Sequence, residues 1–348
     1  MGLVAVLIRI ALPPALIEKL YSRAVYQALR AVWDHLLNSW LPVPLMYLLL
    51  LLALALLVQR TRRWWRLPDW RRRLAGLGMG ILGMLGFLAF TFLMLWGYNY
   101  GRVPVETQLE LDLTPISLEE LAQRVQSEAE VLASWRHRIP DADTNALTAR
   151  HFPDDLEDPL REVLEKTLVD YGFPVAGRVR ARILYPKGIF LRFSSAGLFF
   201  PWSGEGHIDA GLIPVQRPYT MTHELAHGYG FGDEGACSFW AYVAGIQSTN
   251  PALVYATRLG YWRTLASNWL RAEPEAYEAF RTTLDRGIVN DLNAINVNLL
   301  AYPDILPHAR YAAYDAYLKA QGISEGMLNY NRVVLLVEAW EKKGGLGD

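Results

Sequence analysis

The 348-residue chain has a single cysteine, Cys237, which excludes any intrachain disulfide and leaves the redox compartment undecided. It has no excess of either charge: 34 Lys and Arg against 35 Asp and Glu give a formal net charge of −1. The arginines gather beside apolar runs instead of interleaving with aromatics along a polar face. The footprint of a nucleic-acid binder is therefore missing, and no polyanionic partner is implied. Fixed-period repeats and low-complexity tracts are absent as well, which excludes solenoid and fibrous architectures. What the chain has in abundance is apolar residues, 52% of the total, more than an ordinary soluble domain needs. The surplus sits almost entirely in the first hundred residues, so two parts of the chain face different solvents.

Val43 to Val58 is apolar throughout, and Leu74 to Trp96 is a longer run rich in Gly, Leu, Met and Phe. Each is close to the roughly 20 residues that cross a bilayer. Between them stand Arg60, Arg62, Arg63, Arg66, Arg71, Arg72 and Arg73, with Trp64, Trp65 and Trp70. A positive loop with interfacial aromatics faces the cytoplasm. The chain then leaves the membrane after Trp96 on the outer face, beside the aromatic cluster Trp96, Tyr98 and Tyr100. Gly2 to Ile17 is apolar apart from Arg9 and is interrupted by Pro13-Pro14. It reads as a third spanning helix kept in the mature protein, since no small-residue cleavage site follows it; a signal-like or interfacial segment is the alternative. The expected division is a membrane anchor over 1–100, with two or three transmembrane helices at about 2–17, 43–59 and 74–97, and an extracytoplasmic domain over 101–348.

In the second part, Ser117-Leu-Glu-Glu120 is a capping-box signature opening a helix to about Ile139. Asp154 to Tyr171 reads as a second helix, with Asp158-Pro159 an alternative start and Gly172 and Pro174 ending it, and Asp141 to Pro153 between the two helices reads as a polar connection. Alternation of Val179, Ala181 and Ile183 with Arg178, Arg180 and Arg182 predicts a strand, and Ile189–Phe193 and His207–Leu212 are two more candidates. From Tyr219 onward the period is helical: about 219–229, 234–247, 251–270, 274–285, 288–301, 308–320 and 327–342. Strands followed by helices describe an α+β domain.

Chemistry concentrates in His223-Glu-Leu-Ala-His227, an HExxH motif. Residues four apart share a helix face, so both imidazoles can reach one tetrahedral metal ion, with zinc the expected cofactor. Glu224 is not a ligand in this arrangement; it lies where it can take a proton from water and return it to a leaving amine. Pro218 stands near the start of the motif's helix, and Gly228 and Gly230 follow the second histidine. For a third ligand, Asp233 and Glu234 compete. Spacing HExxHxxGxxD puts Asp233 on the metal; alternatively Asp233 caps a following helix and offers Glu234 on the face shared by Cys237 and Ser238. Glu234 is preferred, because Asp after Gly is so common a cap that Asp233 is already explained.

Five stretches carry a family resemblance: Tyr21-Ser-Arg-Ala-Val-Tyr26, Leu95-Trp-Gly-Tyr-Asn-Tyr-Gly-Arg102, Thr222-His-Glu-Leu-Ala-His-Gly-Tyr-Gly-Phe231, Phe239-Trp-Ala-Tyr242 and Tyr314-Asp-Ala-Tyr-Leu-Lys319. With these the chain resembles the bacterial membrane family catalogued as domain of unknown function 3810, transmembrane helices followed by an HExxH domain. The resemblance implies a zincin-like fold, with a small β-sheet, the HExxH helix and a helical C-terminal subdomain, and puts the family's downstream glutamate on Glu234. The chain departs just afterwards: where the family usually has Glu-Ala-Asn, it reads Gly235-Ala-Cys-Ser238.

Secondary candidates are weaker. Glu205, His207 and Asp209 lie on the strand before the motif, where a zincin binds substrate backbone, yet loop polarity explains them equally well. Tyr330, between Asn329 and Asn331, is a candidate oxyanion donor, although as one of 18 tyrosines its ordinary role is structural; the same holds for His308. Cys237 reads as a small buried hydrophobe. The expected activity is hydrolysis of peptide bonds, with envelope proteins or peptides as substrates and the bilayer of a bacterial cytoplasmic membrane as the other partner. An intramembrane protease is disfavoured because His223 and His227 lie far from either apolar run. The alternative is a non-catalytic membrane scaffold or sensor with a structural zinc site.

Overall fold

The computed structural model describes residues 1–38, 40–66, 69–324 and 331–346. It divides into two compact units. The first comprises Met1–Val103, Ala176–Arg180 and Phe199–Glu205; the second comprises Pro104–Val175, Ala181–Leu198 and Gly206–Asp348.

The first unit opens with α1, Gly2–Ala11, which ends just before Pro13-Pro14. Ten residues at 1.5 Å each make about 15 Å, half of a hydrocarbon core, so the segment expected to span from 2 to 17 is a shorter helix. It packs closely on a later one: a Cβ at Gly2 would fall 2.4 Å from the Gly86 carbonyl oxygen. The chain is helical again from Pro14 to Asn38, with wide π-type turns at Ile17–Val25 and Asp34–Asn38 flanking α2, Tyr26–Trp33. Next come α3, Leu45–Trp65, and α4, Trp70–Leu95, which are long and apolar enough to cross a membrane. Most of their side chains are exposed, and only Leu45 and Met46 on α3 and Leu93 on α4 are buried. Tyr21, Tyr26, Leu93, Trp96 and Tyr98 form the unit's small core with Ala5 and Ile17.

The second unit is mostly helical. Its first long helix, α5, Leu118–Arg136, starts at the expected capping box, Ser117 Oγ accepting from Glu120 N–H and Glu120 Oε2 from Ser117 N–H. After α6, Glu157–Asp170, comes a three-stranded sheet of β1, Arg180–Leu184, β2, Gly197–Phe200, and β3, Glu205–Asp209, with β3 in the centre and buried along its whole length. The strand expected at Ile189–Phe193 is instead a loop ending in a 3₁₀ turn, Leu191–Phe193. Asp209 is the reason: its carboxylate accepts from the backbone N–H groups of Gly188, Phe190 and Leu191, removing the donors a strand would offer to a ladder. Gly-Leu-Phe-Phe of β2 has no polar–apolar alternation, so the pattern passes over it.

Among the described residues, seven further helices follow: α7, Arg217–Gly228; α8, Glu234–Gly245; α9, Pro251–Ala272; α10, Pro274–Arg281; α11, Arg286–Leu300; α12, Pro307–Ala320; and α13, Arg332–Lys342. Every residue of α8 is buried, the mark of a central helix surrounded by others. Long α9 lies along α5, Trp262 Nε1 donating to the Val125 carbonyl and Arg258 pairing with Glu128.

Candidate metal centre

Two helices and the tight turn between them build the site. Pro218 occupies the first turn of α7, where its missing N–H costs nothing. Five residues later the motif begins. Past the helix end, Gly230 adopts φ +91°, a conformation strained for any residue with a Cβ, while Phe231 N–H returns to the Ala226 carbonyl. That reversal leaves two residues before Asp233, whose Oδ1 accepts from Ala236 N–H and caps α8. Its Oδ2 pairs with Arg332 at 2.7 Å. Both oxygens of Asp233 are thereby engaged away from the histidines, and Glu234 is the acid that reaches them.

His223 Nε2 and His227 Nε2 lie 3.1 Å apart, and Glu234 Oε2 lies 3.0 Å from the first and 3.3 Å from the second. Two ligand bonds of about 2.0–2.1 Å at a tetrahedral angle set their donor atoms ~3.3 Å apart. The three donors therefore stand at the mutual spacing of three corners of a metal tetrahedron, and they are close enough to hold one ion. The far side of each ring is also held. His227 Nδ1 lies 2.8 Å from the Phe231 carbonyl and 3.2 Å from Cys237 Sγ, and His223 Nδ1 lies 3.1 Å from Ser238 Oγ. Donation from Nδ1–H to those acceptors leaves each Nε2 lone pair facing the cluster, the outer-shell arrangement that orients metal-binding imidazoles. On the third donor, Tyr314 of α12 gives its hydroxyl hydrogen to Glu234 Oε1 at 3.0 Å.

The electrostatics favour a positive charge at this point. Burial opposes ionisation of Glu234, yet the charge and hydrogen bonds of His227 and His223 hold its carboxyl below the usual carboxylate range. For His227, burial is outweighed by the negative charge of Glu234 and by hydrogen bonds with Cys237 and Glu234, which raise it; His223 is lowered, mainly by burial. The Cys237 thiol is pushed up to about 12, chiefly by burial, and so stays protonated.

Glu224 lies against β2 and β3, beside Gly197 and Gly206. Burial, aided by the charge of Glu234, raises its carboxyl to about 8 against the opposing pull of His227. Its Oε2 is buried with no hydrogen-bond partner among the described residues. The room around it comes from two glycines on the sheet. A Cβ at Gly197 would fall 2.5 Å from Glu224 Oε1, and one at Gly206 2.6 Å from Glu224 Cβ.

The other candidates separate. Asp209 organises the loop before β2, as described; Glu205 Oε2 accepts from Leu45 N–H at the start of α3; His207 is buried in β3. His308 is exposed on the first turn of α12, and Tyr330 lies outside the described residues. Cys237 is buried as expected but is more than filler, since it touches His227. Ser238 and Tyr314 are site neighbours that residue spacing did not assign. For Ser238 the signal was its shared face with Glu234; for Tyr314 it was only the recurrence of its stretch in the family pattern.

The second unit is thus a mostly helical domain whose consecutive helices bring two histidines and a glutamate to one point, a three-donor cluster able to hold a metal ion. The chain belongs to the DUF3810 family, described as a protein of unknown function, whose model matches residues 21–337. No curated protein and no solved structure matches it.

Proposed function

We propose that the protein is a membrane-anchored, zinc-dependent metallopeptidase of zincin-like, gluzincin type, with His223, His227 and Glu234 as ligands and Glu224 as general base. The observation that carries this reading is the convergence of the three donor atoms at 3.0–3.3 Å. Two imidazoles and one carboxylate are a donor set of catalytic zinc sites. Bound zinc supplies Lewis acidity there, lowering the pKa of water towards about 7.

What the chain's own groups contribute follows from their placement. Burial raises the Glu224 carboxyl above its ordinary range, the direction a group needs if it is both to accept and to return a proton. Its buried Oε2 has no hydrogen-bond partner among the described residues to compete for a proton, and the two glycines beside it make room for the carboxyl itself. Tyr314, Ser238 and the Phe231 carbonyl hold the ligands in orientation, so little reorganisation accompanies binding. Substrates are envelope proteins or peptides.

Metal content per chain tests the site directly. Detergent-purified wild type is expected to hold one zinc, with His227→Ala and Glu234→Ala losing it. No zinc after mild purification and zinc repletion would remove the reading altogether.

One observation favours a second reading, a non-catalytic scaffold or sensor with a structural zinc. The His227 and Glu234 side chains are only 6% and 5% exposed, and a closed site suits a structural ion.

The topological part of the proposal is two spans, α3 and α4, with the arginine-rich connection in the cytoplasm and the second unit outside a bacterial inner membrane. Cysteine labelling checks it cleanly because Cys237 is fully buried. An impermeant maleimide on intact spheroplasts is expected to label Gln126→Cys and to leave Arg62→Cys unlabelled until the cells are opened. The opposite pattern would invert the topology.

A further inference from the structure

The helical stretch 14–38 turns charged groups inward and an apolar face outward. Its protein-facing side buries Glu18, Ser22, Arg30 and Asp34 beside the core residues Ile17, Tyr21 and Tyr26. Between Lys19 and His35 the exposed positions are Leu20, Ala24, Val25, Ala28, Ala31 and Val32, none of them polar. A helix in water does the opposite, turning its charges outward and its aliphatic residues in. The buried charges are compensated within the unit: Arg30 makes a bidentate pair with Asp34 and donates to the Gly204 carbonyl, and Glu18 is shared by Arg102 and Arg23. The inward polar groups are therefore built in, and what the apolar face lacks is an apolar solvent.

The position of the stretch gives its orientation. Near its start, Tyr21 donates to the Met94 carbonyl on the last turn of α4, and Glu18 pairs with Arg102 just beyond that turn. After its end, α3 begins at Leu45. Because α4 starts five residues after α3 stops, the beginning of α3 and the end of α4 share one side of a two-span hairpin. Both ends of the stretch thus lie at the same level, the exit side of α4.

We propose that residues 14–38 form an in-plane helix at the outer membrane–water boundary, its Leu20-to-Val32 face seated about 5–10 Å into the headgroup and acyl region. The occupant of that face is lipid hydrocarbon, continuous with the lipid around α3 and α4, and Lys19 and His35 mark its two polar ends. The inference rests on reading α3 and α4 as membrane spans.

Nitroxide labels at Val25→Cys and Val32→Cys in the full-length protein, reconstituted in phosphatidylethanolamine–phosphatidylglycerol vesicles, test it through collision rates with oxygen and with a water-soluble nickel chelate. Leu82→Cys, midway along α4, is the deep reference and Gln126→Cys the aqueous one; wild type checks that buried Cys237 stays unlabelled. The expected oxygen-to-nickel ratio at both positions is several-fold above Gln126→Cys and clearly below Leu82→Cys. A ratio equal to the aqueous reference overturns the proposal, as does one equal to Leu82→Cys, which would make the stretch a span. Exclusion of both reagents overturns it in favour of a protein partner. Should Leu82→Cys itself read as aqueous, the reading of α3 and α4 has failed, a result distinct from failure of the in-plane helix.

Discussion

Glu224→Gln is expected to keep its zinc and its fold while losing about 10²–10⁴-fold of peptidase turnover, the usual contribution of a positioned acid–base group. The amide has the same shape as the carboxyl, so the fit between Gly197 and Gly206 is retained. It cannot take up a proton, which is the one property the proposed role requires. Glu224 Oε2 has no hydrogen-bond partner among the described residues, so at that oxygen no structural bond is lost with the charge. His227→Ala, in contrast, is expected to lose metal and turnover together. Hydrolysis of a quenched-fluorescence peptide library, with zinc measured on the same samples, separates the two. Turnover retained in Glu224→Gln would sink the peptidase reading, and a zinc-loaded wild type that cleaves nothing in the library would favour the structural-zinc alternative.

Asp291→Ala is expected to lower the unfolding free energy by about 3–5 kcal/mol, the cost of removing one partner from a buried ion pair. Asp291 is fully buried. Its Oδ2 accepts from Arg136 Nε at 2.9 Å and from the Tyr255 hydroxyl at 2.7 Å, and its Oδ1 from Leu147 N–H at 2.7 Å. Arg136 also donates to the carbonyls of Asp143 and Asn145. One carboxylate on α11 therefore ties down α5, α9 and the polar connection from 141 to 153. The alanine would strand a guanidinium that is itself almost wholly buried, against which the close approach of Gly287 leaves no slack. Asp291→Asn, which keeps shape and two acceptor contacts, should lose less. Urea unfolding of the detergent-solubilised chain, followed by tryptophan fluorescence, measures both; an unchanged midpoint in Asp291→Ala would mean that water replaces the carboxylate.

Much of the secondary structure was legible because it rests on local signals. The capping box at Ser117 and Glu120, the glycine at 230 and the cap at Asp233 act within a few residues, and they fall where the chain's helices begin and turn. The misplaced strand at Ile189–Phe193 had a distant cause, a carboxylate some twenty residues further along the chain. In the first unit, the long apolar runs announced α3 and α4, whereas the proline pair that cut short the first helix was visible without showing how far that helix would reach.

The HExxH pair and its shared helix face follow from spacing alone, since residues four apart on a helix are neighbours on one face. The sequence also narrowed the third donor to Asp233 and Glu234. Which of them meets the histidines depends on the angle at which the turn through Gly230 delivers α8 back to α7, and that is set by packing. The same return brings Cys237 and Ser238 behind the imidazoles, and packing of α12 brings Tyr314 to Glu234 across 80 residues. The inward-facing charges of residues 14–38 belong to this second kind of knowledge: composition counts a charge wherever it lies, and only packing tells which way it faces.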